Sequence, residues 1–99
     1  MVNWLVERRL SQNVARLKSL RAELAQLDEQ VDVFASDADD TALRALVAET
    51  PGAAYEANDA RKHADAMARH RQHVIDTINE LERKQDELLD KLSPRNDRA

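Results

Sequence analysis

Residues 50–92 read TPGAAYEANDARKHADAMARHRQHVIDTINELERKQDELLDKL, and their spacing decides the fold. Ala53, Ala57, Ala60, Ala64, Met67, Arg71, Val74, Ile78, Leu81, Gln85, Leu88 and Leu92 alternate steps of four and three without a slip. That is a heptad seam held for about 40 residues, and a helix that long spans about 60 Å. Only Arg71 and Gln85 interrupt it with polar side chains. Thr50-Pro51 marks the start: Thr is a good N-cap, and Pro at the first helical position gives up an N–H that has no partner there. Ser93-Pro94 marks the end.

Upstream, the same spacing recurs. With Leu10 at position a, the a/d series is Leu10, Asn13, Leu17, Leu20, Leu24, Leu27, Val31 and Phe34, broken only by Asn13. This predicts a helix over about 4–35. Between the two seams lies SDADDTALRALVAE, residues 36–49. Leu43, Leu46 and Val47 make an apolar face, and Ser36 or Asp37 supplies a cap with Asp39 or Asp40 three residues on. That pattern predicts a short separate helix over 38–49, followed by the long helix over 51–93 and a disordered tail over 94–99.

The expected fold is all-α: a long antiparallel coiled-coil helical hairpin over residues 1–93 with a short third helix at its tip. In that arrangement Phe34 sits near Ala53, paired residues have numbers totalling about 87, and Leu24, Leu27, Val31 and Phe34 face Ala53, Ala57, Ala60 and Ala64. The short helix then covers Phe34 and Tyr55. Trp4 and Leu5 close the stem against the end of the last helix. Asn13, Arg71 and Gln85 fix the register.

Composition agrees and excludes much else. The chain has 99 residues, one Gly, two Pro and no Cys, with 34% charged and 3% aromatic residues. One Gly cannot supply the turns of a sandwich or a dinucleotide-binding fold. The lack of Cys excludes disulfides, a redox thiol and a Cys-type zinc site. No apolar run suits a signal peptide or a membrane span, so a cytoplasmic location is expected. Arg outnumbers Lys by 11 to 4 and Ala numbers 16, the composition of a GC-rich bacterial genome.

The net charge of −4 conceals segregation. Residues 1–22 carry +4, residues 23–60 carry −9, and residues 61–73 carry +3. The hairpin therefore has an acidic tip, centred on Asp37, Asp39 and Asp40, and a basic waist of Arg16, Lys18, Arg21, Arg61, Lys62, Arg69 and Arg71. Helix capping accounts for one or two of the tip carboxylates. Salt bridges to Glu23, Asp59 and Asp65 account for much of the waist. Overall acidity argues against binding nucleic acid through net charge, and no aromatic residues flank the waist for base stacking.

In shape and in Asp37, Asp39 and Asp40, this reading resembles the coiled-coil prong of Gre-type transcript-cleavage factors and related binders of the RNA polymerase secondary channel. The resemblance implies acidic residues at a hairpin tip that position a Mg²⁺ ion in the polymerase active site. It covers shape and those three carboxylates alone.

No catalytic constellation is present. Ser11, Ser19, Ser36 and Ser93 have no triad spacing, and Gly52 stands alone. His63 and His70 are a heptad apart, too far to share an ion, while His70 and His73 could share one but lack further ligands. Protonating all three His would take the charge from −4 to −1. No enzyme, metal or cofactor is expected.

Val14, Ile75 and Leu89 fall at e positions, outside what a two-helix seam uses. A lone hairpin buries little, so this stripe suits self-association into a four-helix dimer. The expected function is a protein–protein interaction module, an adaptor, regulator or assembly factor. The alternative is a transcription- or ribosome-associated factor that uses the acidic tip or the basic waist.

Overall fold

The computed structural model describes residues 3–92. All of them are helical except Glu49 and Thr50. Helix α1 runs over Asn3–Ala48 and helix α2 over Pro51–Leu92, and the two form a hairpin. The expected stop at Ser93-Pro94 and the expected tail over 94–99 lie outside the described residues.

The turn is as short as a helical hairpin permits. Glu49 has φ 54°, a left-handed conformation, and its N–H donates to the Ala45 carbonyl at 3.0 Å, which closes α1. Thr50 then caps α2 as its sequence demands: its Oγ1 accepts from the Ala53 N–H at 3.1 Å. Pro51 occupies the first helical position.

The expected break at residues 36–37 is absent. α1 passes through Ser36 and Asp37, so there is one 46-residue helix in place of helices over 4–35 and 38–49. The heptad register explains why. Ala38, Thr41 and Ala45 continue the a/d series from Val31 and Phe34 without a slip, and no Gly or Pro interrupts them. Thr41 satisfies its hydroxyl locally by donating to the Ala38 carbonyl at 3.1 Å. Ala38 is fully buried. The larger side chains lie outside the seam: Leu43 at f, Leu46 at b and Val47 at c are 63%, 73% and 80% exposed.

Threading residues 36–48 into α1 moves the turn and with it the register. Asp28 pairs with Arg71, Asp39 with Arg61 and Arg21 with Glu82, so partner numbers total 99 to 103 rather than 87. The 13-residue displacement is the length of that segment. Phe34 consequently lines a groove with Met67 and does not sit by Ala53. Leu24, Leu27 and Val31 likewise fall level with residues beyond Ala64, while Ala38, Thr41 and Ala45 fall level with Ala53, Ala57 and Ala60. Tyr55 is exposed rather than covered, and Trp4 and Leu5 are also exposed.

The molecule divides into two compact units. One combines residues 1–23 with 74–99. Its core is Leu17, Val74, Ile78 and Leu88, with buried Asn13 donating from Nδ2 to the Leu81 carbonyl at 2.9 Å. The other is residues 24–73, with Leu27, Ala38 and Ala64 buried and Val31, Phe34 and Met67 half-buried.

Candidate interaction surfaces

Antiparallel pairing of two heptad helices leaves two flanks, one where e positions face e positions and one where g faces g. In the unit holding both helix ends, the two flanks differ in chemistry. On the e flank, Arg21 donates to Glu82 at 2.6 Å. One heptad away on each helix lie Val14 and Leu89, 47% and 44% exposed. Ile75, also at e, is half-buried. Val14 and Leu89 thus form a small, half-exposed apolar spot, and the Arg21–Glu82 pair lies between it and Ile75.

The g flank of the same unit is basic. Arg9, Arg16, Lys84 and Lys91 line one groove, with Leu88 beneath and Glu87 the one carboxylate at its edge. The numbers of Arg9 and Lys91, and of Arg16 and Lys84, each total 100, so cations face cations across the hairpin. Like charges at facing flank positions destabilise a coiled coil unless an anion neutralises them. Sequence reading missed Arg9, Lys84 and Lys91 because the displaced register set Arg16, Lys18 and Arg21 beside residues 66–71. The structure sets Arg21 beside Glu82 and Arg16 beside Lys84 and Glu87.

The expected waist is thus two sets, not one. Arg16, Lys18 and Arg21 belong to the first unit, and Arg61, Lys62, Arg69 and Arg71 to the second. Within the second unit, Arg61 donates to Asp39 at 2.8 Å and Arg71 to Asp28 at 2.5 Å. With Arg21–Glu82, these pairs cross from one helix to the other, whereas the partners expected from the sequence are Glu23, Asp59 and Asp65.

Asp37, Asp39 and Asp40 are not at a tip and do not cap a helix. They sit inside α1, roughly 15 Å before the turn at Glu49-Thr50. Capping therefore explains none of them. Asp39 is engaged by Arg61. His63 and His70 line a shallow groove with Phe34, Ala66 and Met67, and His63 Nε2 lies 3.9 Å from Asp59 Oδ2. Among the described residues, no three His, Asp or Glu are grouped to hold a metal ion.

Chemically, these surfaces offer contacts that could hold a partner. They offer exposed apolar side chains, a cationic groove and a carboxylate-rich stretch of helix, all on rigid helices. No helix of the described residues is long and apolar enough to cross a membrane. Comparison with protein-family models, curated proteins and solved structures finds no match.

Proposed function

We propose that the chain is a non-enzymatic protein–protein interaction module of the cytoplasm, an adaptor, regulator or assembly factor that self-associates and works through coiled-coil surfaces. One observation carries this reading. The a/d positions of α1 nearest the turn hold Ala38, Thr41, Ala45 and Ala48, while Leu43, Leu46 and Val47 are turned outward. A hairpin built only for its own stability would place the larger apolar side chains inside, because burying a Leu or Val contributes about 1.5–3 kcal/mol. Apolar side chains clustered on an outer face mark association surfaces.

The test is a full-length chain with Leu43, Leu46 and Val47 all changed to Ser. Its helicity by circular dichroism stays at the wild-type level. Its self-association and its capture of defined protein partners fall. Unchanged association on both counts would remove the reading.

The g-flank groove favours a second reading, a factor that contacts a nucleic-acid machine. Four cations over one groove match a line of phosphates as well as an acidic protein segment. Binding through this groove weakens steeply with salt and is abolished by Arg16→Glu with Lys84→Glu. Binding through the apolar positions barely responds to either change.

A further inference from the structure

We propose that the outer face of α1 over residues 25–47 is the docking surface for a cationic amphipathic helix of a partner protein. The inference deepens the interaction-module reading, and rests on it, by naming the chemistry of that partner and the face that receives it.

The face belongs to one helix and lies wholly within the second unit. Every residue at a b, c or f position from Ala25 to Val47 is exposed, so α2 covers none of it. Val33, Leu43, Leu46 and Val47 supply its apolar surface, at 66%, 63%, 73% and 80% exposure. Val33, Ser36, Asp40, Leu43 and Val47 succeed one another at steps of three and four. They make one continuous stripe about 21 Å long. Apolar side chains gathered in this way on an outer face mark a surface that something covers.

The charge on the same face has one sign. Glu29, Asp32, Asp39 and Asp40 occupy f, b, b and c positions, and no Lys, Arg or His stands among them. Asp39 already accepts from Arg61 at 2.8 Å, which leaves Glu29, Asp32 and Asp40 to the partner. Between Arg21 and the end of α1 the one cation is Arg44, at g and outside the face. It lies one turn beyond Asp40, and α1 places no cation beside Glu29 or Asp32.

These two properties together select the occupant. The carboxylates repel nucleic acid and anionic membrane surfaces, both of which require cations from a protein. A cation without apolar side chains leaves the stripe in water, because only apolar contact removes it. A polypeptide that carries Lys or Arg beside aliphatic side chains answers both. That segment is itself a helix. The face of a helix has no free main-chain N–H or C=O to pair with an added strand, whereas side chains at steps of three and four form ridges that fit a second helix. The partner's cations then lie over Glu29, Asp32 and Asp40, and its larger apolar side chains over Leu43, Leu46 and Val47.

Fluorescence anisotropy tests the proposal with the full chain and a labelled synthetic helix of Leu and Lys, with Leu at its a and d positions. The wild-type chain binds this helix. Asp32→Lys with Asp40→Lys weakens binding by about tenfold or more at low salt and by less at high salt. The same synthetic helix with Glu in place of Lys binds that variant better than it binds the wild type. Leu43→Ser with Val47→Ser weakens binding by about tenfold or more at low and high salt alike. Asp86→Lys with Asp90→Lys makes an equal change of charge at exposed positions of α2 in the first unit, and leaves binding within about twofold. Circular dichroism of each variant matches the wild type. Four results overturn the proposal: no binding of the Leu–Lys helix, an equal loss from the Asp86 and Asp90 changes, binding indifferent to Leu43 and Val47, or tighter binding of duplex DNA or anionic vesicles through the same residues. If the Leu–Lys helix is not bound but Leu43→Ser, Leu46→Ser and Val47→Ser together reduce self-association, the module reading stands without this partner. If neither is observed, both fall.

Discussion

The Asn13 side-chain amide donates to the main-chain carbonyl of Leu81 at 2.9 Å, across the hairpin and inside the seam. Asn13 is the one buried polar side chain among the described residues. The Leu81 carbonyl lies within α2 and keeps its own helical partner, so removing Asn13 orphans no acceptor. Asn13→Leu should therefore raise stability by about 1–2 kcal/mol while loosening the choice of register. Urea unfolding reads the first effect and amide exchange across α2 the second. A lower midpoint for Asn13→Leu would show that the hydrogen bond outweighs the apolar gain.

A second expectation concerns Arg71, an a position occupied by a cation. Its Nε donates to Asp28 at 2.5 Å, and both side chains remain partly in water. Exposed pairs of this kind contribute at most about 1 kcal/mol, and salt screens them. Asp28→Asn should cost about 0.5 kcal/mol at low salt and less in 1 M salt. Arg71→Leu should be stabilising, because the seam gains an apolar side chain and Asp28 keeps its access to solvent. A salt-independent loss for Asp28→Asn would show that shape rather than charge holds the pair.

The turn offers two opposed changes. Glu49 sits at φ 54°, where a side chain is strained and Gly is not. Glu49→Gly should stabilise by about 1 kcal/mol. Thr50→Ala removes the acceptor for the Ala53 N–H and should cost about 1 kcal/mol. Thermal unfolding of the two variants should move in opposite directions. Movement in the same direction would contradict the cap geometry.

Both long heptad seams and the Thr50-Pro51 start were legible in the sequence, because each follows from spacing or from local backbone chemistry. The course of residues 36–48 was not. Ser36 and Asp37 carry cap-forming side chains, and Leu43, Leu46 and Val47 are larger than Ala38, Thr41 and Ala45. Side-chain size therefore pointed to one face and register to another. Register prevailed, since a helix already 33 residues long continues at little cost when no Gly or Pro stops it. That choice governed the surfaces too. Once the turn moves to Glu49-Thr50, Arg9, Arg16, Lys84 and Lys91 come together, and Asp37, Asp39 and Asp40 leave the tip. The three carboxylates and the e stripe of Val14, Ile75 and Leu89 could be named from the sequence, but their neighbours depended on the long-range pairing.

The last prediction turns on Ala38, which is 0% exposed at a seam position where a coiled coil ordinarily gains from Leu. With partner numbers near 100, Ala38 lies level with the stretch of α2 that carries Ala60 and Ala64 in its own seam. Ala64 is buried and Ala60 half-buried. Small side chains on both helices allow a close approach, and a branched side chain four carbons long has no space to enter it. Ala38→Leu should then destabilise by about 1–3 kcal/mol, in the manner of an overpacked core. Leu46→Ala, outside the seam and 73% exposed, should leave unfolding of the isolated hairpin within about 0.5 kcal/mol of wild type. Urea titration at concentrations too low for association compares the two directly. A rise in midpoint for Ala38→Leu would mean that the helices part readily here, and that Ala38, Thr41 and Ala45 do not set their spacing.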